Sequence, residues 1–423
     1  MPQLPIIVEK HPPKRFTPEQ VRGHADDNLP EIVHVLTTPD DKLAGEYRNK
    51  QYPTPKAAVR SRPEFATGAL EVKGSIAAAN RLFYGRGWTD GLPIIPPTRS
   101  EVDGMLAYSD RDPKDVVAVF KPRNGKATVE KVAINAVMAG CQPEYFPVVL
   151  AAVEAMSEPK FNLAGIIATT NPASPLVIIN GPVVKELQIN CGYGLFGSVM
   201  RANATIGRAV RLVVLNIAGG EPGIYDRSTF GQTGKYSLCI AENEDENPWE
   251  PLHVELGYPR DVSTVTIFGG AAPHNIIDMM STTGKGLLST MIGNMVASGT
   301  NNIIAGGGQP LAIFGPEQAS VLARDGFDKK SIREYLHKYA RAPYPPYIVS
   351  QRAKGHSLVK EHAIHNVASS PEDIMILVAG GGGSHASFVA SFFDSTRAVT
   401  RPIAFKDGTF AKSVNDFKMS RKK

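Results

Sequence analysis

The chain has 423 residues, of which 42% are hydrophobic, and a formal net charge of +5 with charges of both signs interleaved. A chain of this length and composition can bury two or three ordinary cores, which excludes global disorder. No basic stripe is interleaved with aromatic residues, and no apolar run suits a signal peptide or a bilayer span. The three cysteines are widely spaced, as is typical of a reducing compartment. We therefore expect a cytoplasmic protein with no nucleic-acid and no membrane partner.

The front of the chain is expected to be an arm followed by a helix. Residues 1–70 are rich in proline and charge, so an extended N-terminal arm is predicted, lying on its own body or on a neighbouring subunit, with disorder as the alternative. An amphipathic helix is predicted over residues 75–83, and Gly85 follows its end. Trp88 and Asp90 then form a tight turn, which either lines a cleft or plugs two domains together.

Beyond this turn the pattern becomes α/β. Helical spacing of apolar residues predicts helices over 102–108, 129–139 and 143–156. The strands predicted after residue 160 are 165–169, 176–179, 264–268, 302–305, 311–314 and 374–379. The helices predicted among them are 203–217, 285–298, 316–324 and 330–339. The predicted fold class is α/β, with mixed or parallel sheets, glycine-rich strand ends and a helical front section.

The predicted organisation has four parts. They are the N-terminal arm (1–70), a first α/β domain (71–260), a second α/β domain (261–405) and a solvated, basic C-terminal tail (406–423). An internal pseudo-twofold duplication is a further prediction, because residues 135–141 parallel residues 294–300 and each segment precedes a strand that runs into Gly-Pro. The spacing within the two copies differs, so convergent helix and strand chemistry is the alternative.

Two apolar strands run into glycine-rich turns that end on histidine, in residues 263–275 and 373–385. Consecutive glycines let backbone approach a ligand because no Cβ blocks it. An imidazole after such a turn places a proton carrier or metal ligand at a strand's carboxyl end, where open α/β sheets bind ligands. His274 and His385 are therefore predicted catalytic residues, and Asn275 is predicted to bind substrate.

Other side chains predict contacts with an anionic substrate. Arg201 and Asn203 lie where a glycine-containing run enters a helix, and free N–H groups with a guanidinium favour carboxylate or phosphate; an ordinary capped helix is the alternative. Arg401 is predicted to supply a carboxylate clamp. The remaining members of the predicted substrate-binding set are Trp88, Asp90, Asn301 and Asn302.

Cys141 stands between two predicted helices and is a candidate catalytic thiol. If its sulfur faces the N-terminus of the helix over 143–156, the partial positive charge there lowers its pKa and favours thiolate. A small buried hydrophobe is the alternative.

Glu242, Glu244 and His253 crowd carboxylates and an imidazole into one short segment. This ligand set suits zinc, manganese or iron, and it equally suits acid–base catalysis. The spacing matches no standard zinc motif, and a solvated acidic loop is the alternative. The cofactor is therefore unknown, with a divalent metal as a candidate.

Several motifs carry a resemblance to a known family. They are residues 89–93 with 96–98, 129–145, 201–208, 234–244, 248–255 and 399–403. At these motifs the chain resembles an uncharacterised bacterial family associated with the selenocysteine or cysteine proteins called the UGSC family. The resemblance spans about residues 75–405 and implies redox or thiol chemistry at an interface with a partner subunit that bears cysteine or selenocysteine. The chain lacks the UGSC sequence itself.

Taken together, these patterns favour an enzyme, or an enzyme subunit, of the oxidoreductase or lyase class. It would act on a small anionic organic molecule by thiol-linked reductive or eliminative chemistry in a cleft between domains, and a homo-oligomer is expected. One alternative is a metal-dependent hydrolase or lyase that uses Glu242, Glu244 and His253. The other is a noncatalytic binding or scaffold subunit of a multiprotein complex.

Overall fold

The chain forms two compact units, Met1–Val59 and Arg60–Lys423. The computed structural model describes residues 18–39, 42, 46, 69–305, 307–343 and 364–420. In the first unit, helix α1 spans Pro18–Thr37. This part of the predicted arm is therefore helical, and most of the remaining arm lies outside the described residues. Among the described residues, no helix combines the length and apolarity that a bilayer crossing requires.

The second unit alternates helices with short strands. Its helices are α2 Ile76–Gly85, α3 Arg99–Leu106, α4 Val129–Ala139, α5 Phe146–Ser157, α6 Leu163–Ala168, α7 Val183–Glu186, α8 Arg201–Val213, α9 Leu252–Glu255, α10 Gly284–Met295, α11 Asn301–Ala305, α12 Pro316–Arg324, α13 Lys329–Tyr339 and α14 Asn415–Ser420. Its strands are β1 Val116–Phe120, β2 Gly125–Thr128, β3 Ser174–Asn180, β4 Cys239–Ala241, β5 Thr264–Gly270, β6 His274–Ile277, β7 Leu311–Phe314, β8 Arg341–Pro343, β9 Ile364–Asn366, β10 Met375–Val378, β11 His385–Val389 and β12 Val399–Pro402. The α/β class is confirmed.

Local chemistry explains why the longer helices begin and end where they do. At the start of α4, the Thr128 hydroxyl accepts a hydrogen bond from the Lys131 N–H, which satisfies one of the free N–H groups of the first turn. At its end, Gly140 adopts a φ of 89°, a left-handed conformation that glycine reaches without steric cost. The helix predicted over 129–139 is confirmed.

Two predicted strands are helices instead. Residues 165–168 fall in α6, where the Asn162 side chain caps the helix by accepting a hydrogen bond from the Gly165 N–H. Residues 302–305 fall in α11. Short apolar runs suit a buried strand and a buried helix equally well, so the pattern alone does not separate them.

Two four-stranded mixed sheets organise the second unit. In the first sheet the strand order is β12-β5-β3-β4, and in the second it is β10-β7-β11-β6. Side chains alternate between the two faces of each strand. Leu176 and Ile178 of β3 share one buried cluster with Ile313 of β7 and Leu377 of β10. The two sheets therefore pack face to face, and burial of each such side chain contributes roughly 1.5–3 kcal/mol.

Helices cover the outer faces of both sheets. Val177 and Val265, which point away from the second sheet, share a core cluster with residues of α4, α5 and α8. Ala312 and Ile376, on the outer face of the second sheet, share another with residues of α10, α12 and α13. The result is a sandwich of four layers, in the order helix, sheet, sheet, helix.

The two sheets have the same internal pattern, as the predicted duplication requires. Each contains one parallel pair, β3 with β4 or β7 with β10, followed by two antiparallel neighbours. The outermost strands are exchanged: β6 follows β5 in the chain but pairs in the second sheet, and β12 follows β11 but pairs in the first. A boundary near residue 260 therefore does not separate the two sheets.

Residues 406–420 of the predicted C-terminal tail pack on the body instead of forming a solvated segment. Ala411, Val414 and Phe417 are buried in the same core cluster as α4 and α5. The Phe417 ring lies 4.6 Å from that of Phe405, and Lys406 Nζ lies 2.7 Å from Asp115 Oδ2. Apolar residues alternate with the charged residues in this segment. The apolar side chains hold the segment against the body, and the charged side chains lie between them.

Candidate functional site

Loops from both sheets meet at one end of the sandwich. The Asn243 N–H, just past β4, donates a 2.8 Å hydrogen bond to the carbonyl of Val378 at the end of β10. The Gly380 N–H, just past β10, donates another of 2.8 Å to the carbonyl of Cys191. The carboxyl ends of the two parallel pairs therefore lie side by side, and such ends are where α/β sheets usually bind ligands.

A cavity of about 490 Å³ opens at this end. Its lining residues are Tyr193, Glu246, Pro316, Glu317, Ser320 and Gly382. Pro316, Glu317 and Ser320 lie in the first half of α12, whose N-cap is Gly315. Gly382 belongs to the glycine-rich turn 380–383 between β10 and β11. Its volume is within the range of small-molecule sites.

The turn 380–383 needs its glycines for conformation and for close contact. Gly380 and Gly383 have φ values of 99° and 138°, which side-chain-bearing residues rarely adopt. A Cβ on Gly381 would overlap the Tyr193 ring, and one on Gly315 would lie 2.8 Å from the carbonyl oxygen of His385. The group that approaches this turn most closely is therefore an aromatic ring, and 77% of the Tyr193 surface stays exposed above it.

The walls of the cavity are acidic. Glu246 accepts a 2.6 Å hydrogen bond from the Asn243 amide. Glu317 forms no hydrogen bond or ion pair within the described part of the chain. None of the six lining residues is basic. The cavity therefore presents two carboxylates, a hydroxyl and an aromatic ring to whatever enters it.

The two predicted catalytic histidines lie on neighbouring strands but on opposite faces of the sheet. His274 stands opposite Phe388 in the β6–β11 register, whereas His385 stands opposite Ile277. Phe388 faces the outer helical layer, and His274 Nε2 accordingly lies 2.9 Å from Asn294 Oδ1 on α10. His385 Nδ1 lies 3.1 Å from Asn275 Oδ1. The two imidazoles therefore do not face one common cleft. His385 and Asn275 form the pair nearer the glycine-rich turn.

Cys141 is a buried thiol. Burial raises its pKa from the ordinary value of 9.0 to about 12, against smaller opposing effects of Thr205 and Arg201. The predicted thiolate is wrong, because loss of hydration outweighs nearby positive charge. Arg201 does lie close, with Nη2 3.5 Å from the Gly140 carbonyl oxygen.

The half-buried cysteine at the loop end is Cys191. Burial, followed by the negative charges of Asp245 and Glu246, raises its pKa as well. Cys239 is buried, and desolvation raises its pKa too. All three thiols therefore favour the protonated form.

The other predicted substrate-binding residues have structural partners. Asn203 is buried and bonds the backbone of Asn190 and Cys239. Asp90 accepts two hydrogen bonds, at 2.7 and 2.9 Å, from the guanidinium of Arg208. The contact between Asp90 and Arg208 holds the loop before α3 against α8. The polar groups of Asn203 and Asp90, which a substrate would need, are thus bonded within the protein.

Of the four remaining predicted residues, Trp88, Asn302 and Arg401 also make internal contacts. Trp88 packs edge-on against Phe83 at 5.3 Å. Asn302 bonds Ser391 and the Gly307 carbonyl, next to Asn301 at the start of α11. Arg401, on the edge strand β12, forms an ion pair with Glu158. None of these side chains lines the cavity.

Glu242, Glu244 and His253 do come together, in a buried cluster behind the acidic loop. Glu242 accepts hydrogen bonds from the Asn180 and Asn247 amides and from the Leu252 N–H. Burial raises its pKa, and the positive charge of Lys329 opposes this. Glu242 is therefore fully engaged by the protein. In the described residues no three His, Cys, Asp or Glu side chains form a metal-binding group.

The cavity residues Tyr193, Glu246, Glu317 and Ser320 were not predicted from the sequence. Their only signals were the Gly-Tyr-Gly run near residue 193 and the matching Gly-Pro pairs after β3 and β7. No protein-family model matches the chain, and no curated protein matches it either.

Proposed function

We propose that the chain is an enzyme that acts on a small organic molecule bound in the cavity beside the glycine-rich turn. The observation that carries the proposal is that Glu246 and Glu317 face one cavity at the carboxyl ends of the strands. Paired carboxyl groups can serve as base and acid in one reaction, and each such role typically contributes 10²–10⁴-fold.

The cavity favours an eliminative or other proton-transfer reaction over a reductive one. A carboxylate can remove a proton from the ligand, and the second carboxyl group can donate one to a leaving group, so no electron carrier is needed. A thiol reductant acts as thiolate, whereas burial and negative neighbours raise the pKa of Cys141 and of Cys191. Of the two expected enzyme classes, the lyase class is therefore better supported than the oxidoreductase class.

The lining also bears on the ligand. Two carboxylates and the Ser320 hydroxyl complement N–H groups, O–H groups or positive charge, and the exposed Tyr193 face adds an apolar or cation–π surface. The expected anionic substrate has no basic lining residue to support it. We therefore propose an amine, an amino alcohol or a polyol as the substrate class.

A thermal-shift screen of small amines, amino alcohols and polyols tests this proposal. A ligand at 100 times its Kd stabilises the folded state by about 2.7 kcal/mol, which raises the melting temperature measurably. We expect Glu246→Gln and Glu317→Gln to abolish the shift that the best compound gives. The matched control is Glu334→Gln on α13, an exposed carboxylate 4.0 Å from Lys330. Equal shifts in all three variants would place binding elsewhere.

We further propose self-association through the edge of the second sheet. Among the described strands, β6 pairs on one side only, and its last residue Ile277 and the following Met279 and Met280 are exposed. Open edges with apolar neighbours favour strand addition or packing with another subunit. Light scattering of Met279→Lys/Met280→Lys against the unaltered protein tests it. The Cys- or Sec-bearing partner that the family resemblance implies remains a proposal.

A further inference from the structure

One glycine of the glycine-rich turn is explained neither by backbone conformation nor by packing. Gly380 and Gly383 have positive φ values, which favour glycine. A Cβ on Gly381 would overlap the Tyr193 ring. The φ of Gly382 lies outside the left-handed region, so its backbone conformation is open to residues that carry a side chain. The glycine at this position therefore serves the space that a side chain would fill.

Two side-chain oxygens face that space. A Cβ on Gly382 would lie 3.1 Å from the Tyr193 hydroxyl oxygen and 3.2 Å from Glu317 Oε1. Gly382 is exposed and lines the cavity together with both side chains, so a ligand can reach it. A ligand group that packs on this glycine therefore comes within hydrogen-bonding reach of the phenol and of the carboxylate.

Neither oxygen is used within the described part of the chain. The Tyr193 hydroxyl has no hydrogen bond there, and the residue is held through its backbone carbonyl, which accepts a 3.0 Å hydrogen bond from the Asn190 amide. Glu317, in the first turn of α12, has no hydrogen bond or ion pair there either. Both groups stand on regular or hydrogen-bonded backbone, and both are available to one ligand group.

The chemistry of the two oxygens favours a ligand group that both donates and accepts a hydrogen bond. An ionised carboxylate only accepts, whereas a phenol donates one hydrogen bond and can accept another. A hydroxyl group uses both partners, because it can donate to Glu317 and accept from Tyr193. An ammonium group can donate to Glu317 but leaves the phenol proton to solvent. A carboxylate or phosphate group would face the negative charge of Glu317 and is disfavoured.

We infer that the ligand places a hydroxyl group against Gly382, where Tyr193 donates a hydrogen bond to it and Glu317 accepts one from it. The inference rests on the proposed function and narrows its substrate classes to those that carry a hydroxyl. The second carboxylate of the cavity, Glu246, is held by the Asn243 amide and is left for an amino group. Amino alcohols use both carboxylates and are therefore the preferred class.

Calorimetric titration with two matched pairs of compounds tests the inference. Ethanolamine differs from propylamine by a hydroxyl in place of a methyl group, and diethanolamine differs from dipropylamine in the same way at both ends. We expect the unaltered protein to bind the hydroxyl member of each pair at least about tenfold more tightly, because hydrogen bonds to a charged group contribute this much. Gly382→Ala fills the space and should reduce the preference to about twofold or less, and Tyr193→Phe should lower it at least about threefold.

Gly293→Ala and Tyr236→Phe are the matched controls. Gly293 lies in α10, and a Cβ there would meet nothing within 4 Å. Tyr236 is exposed and does not line the cavity. Both variants should keep the preference of the unaltered protein. Thermal melting shows whether each variant is folded before it is titrated.

The outcomes separate this inference from the proposed function. Equal affinity within both pairs, with weaker binding of all four compounds to Glu317→Gln, would overturn the inference and leave the proposed function standing. An unchanged preference in Tyr193→Phe or in folded Gly382→Ala would also overturn it, because the hydroxyl would then bind elsewhere. Tyr193→Phe leaves the backbone of the turn unaltered, so it decides the question even if Gly382→Ala fails to fold. No binding of any of the four compounds, or binding that Glu246→Gln and Glu317→Gln leave unchanged, would overturn both.

Discussion

The two parallel strand pairs have the same topology and opposite endings. β3 ends on Asn180 and β4 is followed by Glu242, and these side chains fill the end of the first sheet with a buried polar cluster. After β7 and β10 it continues into Gly315 and the turn 380–383, which leave a cavity. One arrangement of strands thus supports a closed, charged end and an open, ligand-sized one, because loop residues and not strand order decide what occupies the end of a sheet.

The largest effect on the free energy of unfolding should follow from removing the Glu242 carboxylate from the buried cluster at the closed end. Glu242→Ala leaves the Asn247 amide and the Leu252 N–H without their acceptor in a buried site. It also removes one of the two acceptors of the Asn180 amide and one of the two carboxylates beside Lys329. Removing one partner of such a buried pair typically costs about 3–5 kcal/mol. Urea unfolding should show this loss, with Glu334→Ala within about 0.5 kcal/mol of the unaltered protein. A loss below about 1 kcal/mol would mean that the cluster is not structural.

At the open end, the backbone should matter more than the carboxylates. Gly315→Ala places a Cβ 2.8 Å from the His385 carbonyl oxygen, which cannot move alone, so we expect a loss of about 1–3 kcal/mol. The atoms nearest to a Cβ on Gly381 belong to the exposed Tyr193 ring, which can swing away, so Gly381→Ala should cost less stability. It should nevertheless reduce ligand binding, because the displaced ring is part of the lining. Equal stability losses in the two variants would contradict this difference.

The thiols give a smaller effect that depends on pH. Folded Cys141 keeps its proton up to a pKa of about 12, whereas the unfolded thiol loses it near 9.0. The unfolded state therefore binds fewer protons between these values, and stability should fall as pH rises from about 9 toward 12. Cys141→Ala should flatten this decline in denaturant titrations more than Cys191→Ala does, because Cys141 is buried and Cys191 is only half-buried. Rapid alkylation of Cys141 by iodoacetamide at neutral pH, ahead of Cys191, would contradict its burial.

The smallest effect should come from the cavity carboxylates themselves. Glu317 has no partner in the described residues, so Glu317→Gln should change the free energy of unfolding by no more than about 0.5 kcal/mol. Chemical denaturation measures this directly. A loss of several kcal/mol would make Glu317 a structural residue like Glu242 and would remove the contrast between the two ends.

Apolar periodicity and helix-capping residues were sufficient to predict the longer helices of the second unit and the strands β3, β5, β7 and β10, but not the other strands. Thr128 and Gly140 bound α4. The repeated strand and Gly-Pro pattern predicted an internal duplication, and each of the two sheets contains one parallel pair. The exchange of β6 and β12 could not be predicted, because both are short edge strands whose partners are set by long-range packing. Likewise, Cys141 next to a helix start suggested a thiolate, but only the packed core shows how little hydration remains there.

The candidate site, too, could be predicted from the sequence only in part. The glycine-rich turn before His385 was predicted to approach a ligand, and it lines the cavity. Glu246 and Glu317 lie 71 positions apart in the chain, so nothing local links them. Their meeting depends on the contact between Asn243 and Val378, which forms only when both sheets are packed.

The central claim is that the ligand binds at the open end and not at the closed one. Amide hydrogen exchange, with and without the compound that gives the largest thermal shift, tests this most directly. We predict slower exchange in residues 380–384, 190–193 and 316–320 when the compound is bound, and little change in residues 252–264. Protection confined to residues 252–264, with none in the glycine-rich turn, would contradict the claim.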